Sequence, residues 1–127
     1  MKTEDLLNLK SDGEGLKILN KFLRKIKPLM KQKEAQVVDA YNRIPLEAIE
    51  KAIHGFCKRY GYMMQGIQSY CDEGQFVMYT TSLMNEKREW LGNVYGKTLW
   101  EIEAKTLIKI YSMILKEKKE KEENEKS

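Results

Sequence analysis

The 127-residue chain has only two cysteines, two prolines and one histidine, and no run approaches the roughly 18 consecutive apolar residues that a membrane span needs. Each shortage excludes something. Cys57 and Cys71 alone make a poor secreted framework, so two reduced thiols are expected. The start, Met1-Lys2-Thr3-Glu4-Asp5, lacks the basic-then-apolar pattern of a signal peptide, and the expected compartment is the cytoplasm. A chain of this length removes roughly two-thirds of its unfolded surface from water on folding, enough for one core without metal or disulfide staples.

What is present is charge, and it is unevenly placed. The net charge is +4. Residues 1 to 33 carry nine basic and four acidic side chains, whereas 34 to 127 carry fourteen and fifteen, so the whole positive excess sits at one end. Between Lys17 and Lys33 there are seven basic residues and no acidic one.

Ser11-Asp12-Gly13 supply a cap, and Leu16, Leu19, Phe22, Leu23 and Ile26 then recur at spacings of three and four, which predicts an amphipathic helix over about 13 to 27. Pro28 ends or kinks it, because proline lacks the amide hydrogen and disfavours helical geometry before it. Gln32 to Ile44 reads as a connection with a short helical turn around Glu34 to Ala40. Pro45 suits a first helical position, and Leu46, Ile49, Ala52, Ile53 and Phe56 predict a second helix over about 45 to 59, ended by Gly61. Tyr62 to Cys71 and Phe76 to Leu83 read as strands joined by the turn Asp72-Glu73-Gly74-Gln75, with a third strand over about Arg88 to Tyr95. Thr98 and Glu101 have capping-box spacing. The broad apolar face of Leu99, Ile102, Thr106, Leu107, Ile110, Met113 and Ile114 carries a helix from there to about Lys116. Beyond it Lys116 to Ser127 has no apolar residue and reads as a solvated helical extension or disorder. The expected fold class is α+β: an N-terminal helix, then an αβββα unit over about 45 to 116 with a three-stranded antiparallel sheet, in one domain over 1 to 116 followed by a charged tail at 117 to 127.

No chemical motif closes. Gly92-Asn93-Val94-Tyr95-Gly96-Lys97-Thr98 has three residues between its glycines where a phosphate-binding loop has four, and it reads as a turn with a helix cap. Gly13-Glu14-Gly15 lacks the third glycine of a dinucleotide loop. His54 and Cys57 share one side of the second helix and Cys71 ends the first strand, yet a structural zinc needs four ligands and no second close pair exists, so both cysteines read as ordinary apolar residues. The acidic pairs Glu47 with Glu50, Glu86 with Glu89, and Glu101 with Glu103 have no apolar setting that would shift a pKa. Glu101 reads as a cap, and Glu103 as part of a solvated face beside Lys105. No catalytic residue, cofactor or metal is expected, and the chain does not read as an enzyme.

Two surfaces remain as binding candidates. By alternation Tyr62, Met64, Gly66, Gln68 and Tyr70 share one face of the first strand. On the second, Phe76, Met78, Thr80 and Ser82 oppose Val77, Tyr79, Thr81 and Leu83. Since neither face is purely polar, either helices cover both sides of the sheet or one side is a contact surface around Tyr62, Tyr70 and Tyr79. Lys17, Lys21, Arg24 and Lys25, with Lys31 beyond Pro28, form a basic stripe that suits a solvated face, an acidic protein partner, nucleic acid or a membrane surface.

The αβββα order resembles the double-stranded RNA-binding domain, whose last helix opens with a lysine cluster. In Gly96-Lys97-Thr98-Leu99-Trp100-Glu101-Ile102-Glu103 only Lys97 matches that cluster, with acids and Trp100 where further lysines stand in the family. The closing run from Trp90 to Leu107, a short strand and a Gly-Lys-Thr cap leading into an apolar helix, resembles the end of many small bacteriophage and prophage proteins with α-β-α sandwich-like folds. That resemblance implies a non-enzymatic cytoplasmic binding protein, of a class in which some members modulate or inhibit host or defence machinery. A protein partner is the leading expectation and no membrane partner is expected; a DNA- or RNA-binding accessory protein using the basic helix 17 to 33 is the alternative, and a small enzyme of unknown type is the second alternative.

Overall fold

The computed structural model describes residues 13–39 and 45–126. The cap expected from Ser11 and Asp12, the connection at 40–44 and the terminal Ser127 lie outside them. The described chain is α+β, with helices α1 (Gly13–Ile26), α2 (Gln32–Asp39), α3 (Leu46–Tyr60) and α4 (Leu99–Lys126), and strands β1 (Met63–Met64), β2 (Gln68–Asp72), β3 (Gln75–Met84) and β4 (Trp90–Gly96) between α3 and α4.

Local chemistry sets the ends of these elements. Pro28 sits in a single 3-10 turn, Lys27–Leu29, that finishes α1. Pro45 is the N-cap of α3, with extended backbone, one position earlier than its expected place inside the helix. Gly61 closes α3 at φ 80°, where its N–H donates to the Cys57 carbonyl at 2.9 Å. Thr98 Oγ1 accepts the Glu101 N–H at 3.1 Å, while the Glu101 carboxylate reaches back to the Lys97 N–H at 3.3 Å and pairs with Lys105 at 3.0 Å. From that cap α4 runs through Lys126, so the charged tail continues the helix.

β3 is the centre of the antiparallel sheet. β1 and β2 pair along one edge of β3, and β4 pairs along the other. The strand expected over 62 to 71 is therefore two pieces, and the sheet has four strands among the described residues where three were expected. The break has a register cause: Met64 pairs Leu83 and Gln68 pairs Thr80, so four steps on one chain oppose three on the other. The extra residue is held in place by the Gln65 N–H on the Ser82 carbonyl at 2.9 Å and by the Thr81 hydroxyl on the Gln65 carbonyl at 2.6 Å. A second irregularity lies on β3, where Tyr70 pairs Met78 but Cys71 pairs Phe76.

α4 is the hub. Between Ile102 and Ile114 it buries Ile102, Ala104, Thr106, Leu107, Ile108, Ile110 and Tyr111 as well as Ile114, round most of the helix, with Lys105, Lys109 and Ser112 on the strip that is left. It packs on β3 and β4 with one side and on α1 and α3 with the other. Phe22 of α1 meets Tyr111 edge-on, with centroids 4.9 Å apart. The buried Thr106 hydroxyl donates to the Ile102 carbonyl at 2.7 Å, which satisfies that hydroxyl within the seam. Sheet and helix approach closely at Gly96, where an added Cβ would lie 2.8 Å from the Ile102 backbone nitrogen. Gly96→Ala is expected to cost about 1–3 kcal/mol by forcing α4 off β4. Gly66→Ala, with nothing within 4 Å, should stay within about 0.5 kcal/mol of the parent. Thermal denaturation of the two variants side by side checks this.

Candidate functional site

With α4 and its companions packed against one side, the sheet presents its other side to solvent. Thr81, Leu83 and Val94 face the helices and are buried. Their strand neighbours therefore point the opposite way. Following the register from Thr80 and Ser82, the outer side carries Gln68 and Tyr70 of β2, Met78, Thr80 and Ser82 of β3, and Asn93 and Tyr95 of β4. Met63 and Trp90, both paired with Met84, extend it at one end. None of these residues is charged, and Asp72, which alternation places on the same face at the hairpin end of β2, is the acid beside them. No described element covers them: Trp90 is 66% exposed, Tyr70 54% and Tyr95 50%.

Hydrogen bonds hold this face in shape. Asn93 is the node, with Oδ1 accepting the Ser82 hydroxyl at 2.8 Å and the Trp90 indole N–H at 3.2 Å, while its Nδ2 donates to the Tyr95 hydroxyl at 3.1 Å. Two exposed aromatic side chains are thereby fixed to one amide, which lowers the conformational entropy they would lose on meeting a partner. The outer edge of β4 is guarded by α4, whose Lys105 ammonium donates to the Tyr95 carbonyl at 3.3 Å.

The three tyrosines expected on one surface separate. Tyr70 is on the outer face. Tyr62 lies outside the strands and is buried, its hydroxyl donating to Glu117 at 2.9 Å, with burial and that carboxylate pushing its pKa up. Tyr79 faces the helix side, half-buried, its ring 4.8 Å from that of Phe76. Met64, expected beside Tyr70, pairs with the buried Leu83 and faces the helices. The cause is the extra residue before Gln68, since a one-residue slip sends every later side chain to the other face. Trp90, Asn93 and Tyr95 were missed because no faces were assigned to the third strand, although the i, i+2 spacing of Asn93 and Tyr95 was available.

The basic residues Lys17, Lys21, Arg24, Lys25 and Lys31 are all exposed. The four on α1 fall within roughly 100° of helical arc, opposite Leu19, Phe22, Leu23 and Ile26, which are buried against the core. Among the described residues the sheet face and the basic stripe are formed by different elements.

The acidic residues contain the largest departure from expectation. Glu103 is not on a solvated face: it is 7% exposed, and its Oε2 has no hydrogen-bond partner. Its carboxyl lies close to that of Glu50 on α3, and desolvation together with the Glu50 charge raises its pKa from 4.5 to about 8. The pair lines a cleft of about 860 Å³ that also holds His54 and Cys57 of α3, where burial pushes the Cys57 thiol up. Cys71 is exposed in β2 and does not line that cleft. Among the described residues no group of three His, Cys, Asp or Glu side chains is placed to hold a metal ion. No described helix is long and apolar enough to cross a membrane. Glu103 precedes Leu107, Ile110 and Ile114 by helical spacings, a phase that marks it as inward-facing.

Comparison of the chain with family models, curated proteins and solved structures found no match.

The carboxyl of Glu103 yields a pH prediction. It holds a proton in the folded state that the unfolded chain has released between about pH 4.5 and 8, so stability falls as pH rises across that window. Glu103→Gln keeps the neutral shape and removes the ionisation. Its melting temperature should be close to that of the parent at pH 4 and several degrees higher at pH 8. A gap that does not grow with pH would contradict this, read by calorimetry at both pH values.

Proposed function

We propose that this is a small non-enzymatic binding protein that acts by protein–protein contact through the outer face of its sheet. One observation carries the reading: a solvent-facing sheet surface with no Lys or Arg and an acid, Asp72, only at its hairpin end, centred on Trp90, Tyr95 and Tyr70, with two of the three hydrogen-bonded into position through Asn93. Trp and Tyr are the residues that dominate protein interfaces, and depletion of charge at the centre is their compositional signature. A surface for nucleic acid would need Lys or Arg within it to meet phosphates, and this face has none. The basic stripe on α1 then contributes long-range attraction toward an acidic partner. The likeness of the closing run to small phage proteins directs the search for that partner to host or defence machinery.

The test is affinity capture from the native cell with the parent, a Trp90→Ala/Tyr95→Ala variant and a Lys21→Glu/Arg24→Glu/Lys25→Glu variant, all checked for unchanged melting temperature. The aromatic variant is expected to lose the captured protein, with an affinity loss of at least about 2 kcal/mol. The charge variant should slow association and keep the complex. Equal capture by the aromatic variant would contradict the reading.

The second reading, an accessory protein on DNA or RNA, rests on the exposed stripe of Lys17, Lys21, Arg24 and Lys25. If it holds, binding falls steeply with salt and is abolished by the charge variant. Absence of a mobility shift at low salt would remove it.

A further inference from the structure

We propose that the cleft enclosed by α2, α3 and the first turns of α4 receives the ammonium group of a primary alkylamine, with Glu103 and Glu50 as the carboxyl groups that accept its protons in hydrogen bonds. This site is separate from the sheet face and does not depend on the function proposed there.

The argument starts from the orphaned acceptor. A buried carboxyl oxygen without a donor costs free energy comparable to a lost charge-assisted hydrogen bond, and Glu103 Oε2 is in that position at the inner end of a cleft. The other acid close to it, Glu50, adds negative potential to the same place. What the pair lacks is a donor carrying positive charge. The nearest carboxylate on the α2 side is already used, since Glu34 accepts the Lys31 backbone N–H at 3.2 Å and lies over Gly55. The Lys31, Lys33 and Lys51 side chains line the cleft without giving Glu103 Oε2 a partner.

The chemistry of the walls selects the cation. A divalent metal ion would need three or more converging ligands, which no group of described His, Cys, Asp and Glu side chains supplies. An ammonium group is a compact charge with three donors, matched to two carboxyl groups on adjacent helices. Beside the acids the cleft is lined by Ile53, Met64 and Cys57, a strip suited to the methylene chain of an alkylamine. Two sources share that chemistry, a free aliphatic polyamine and a lysine side chain of a protein. The net positive charge of the whole chain opposes diffuse attraction of either, so binding has to come from the site.

The experiment is a titration of spermidine, and separately of Nα-acetyl-lysine amide, into the full chain, followed by calorimetry and by the side-chain carboxyl signals of Glu103 and Glu50 in carbon-detected NMR. At least one probe is expected to bind and to move both signals. Glu103→Gln should weaken that binding at least about tenfold, while Glu73→Gln, in the exposed hairpin turn, should leave it unchanged. Spermidine alone binding assigns the site to a free polyamine, and the lysine amide alone binding assigns it to a protein side chain. No binding of either, or equal binding by Glu103→Gln, overturns the proposal. The Gln variant keeps the shape of the neutral acid, and its melting curve in the same buffer separates loss of the site from loss of the fold.

Discussion

The structure is organised by the burial of one helix. From Ile102 to Ile114, α4 is covered by a sheet on one side and by α1 and α3 on the other, and its capped start is fixed where Gly96 lets the backbone of β4 and α4 touch. A helix buried round most of its circumference, with Glu101, Lys105, Lys109 and Ser112 on the remaining strip, needs two layers to cover it. The sheet supplies one of them with its inner face alone, and the helices are then all on the same side. The open outer face follows from that arrangement, because no described element remains to cover it.

The two candidate sites are the two places where polar groups meet this constraint in opposite ways. On the outer face the strand residues around Asn93 are polar, aromatic or Met and uncharged, and Asn93 ties Ser82, Trp90 and Tyr95 into one hydrogen-bonded unit at the surface. Inside, Glu103 falls on the buried stripe of α4 and meets Glu50 across the packing of α3 and α4. A carboxyl placed there is neutral or partnered, since a bare charge at that depth costs several kcal/mol. An apolar residue would have packed more favourably, which makes Glu103 a position where stability and another requirement diverge.

Much of the fold was legible because its boundaries are chemical. Pro28, Gly61 and the Thr98–Glu101 cap each mark a helix end by a property of the residue itself, and the hairpin at Glu73-Gly74 adopts the paired positive φ angles, 50° and 78°, of a two-residue turn. The faces of the sheet were not legible. They depend on three register shifts, one before Gln68, one between Met78 and Phe76 and one between Trp90 and Gly92, and a shift leaves no mark in composition or periodicity. That is why Tyr62, Tyr70 and Tyr79 scattered while Trp90 and Tyr95 converged. Glu103 was misread for a different reason: its neighbours Glu101 and Lys105 do form an exposed-type pair, and the phase it shares with Leu107 and Ile110 was outweighed by that local pattern. The exposure of the basic stripe was predictable, since the same helix shows its apolar side at unambiguous spacing.

The central claim is that none of the described elements covers the outer face of the sheet. Solvent relaxation enhancement by a soluble paramagnetic agent, recorded on the indole N–H of Trp90, the side-chain amide of Asn93 and the ring of Tyr95, tests it directly. These signals are predicted to be strongly enhanced at every protein concentration, while the amides from Ile102 to Ile114 are shielded. Protection of Trp90 and Tyr95 comparable to that of the α4 amides would show the face to be covered and would contradict the account.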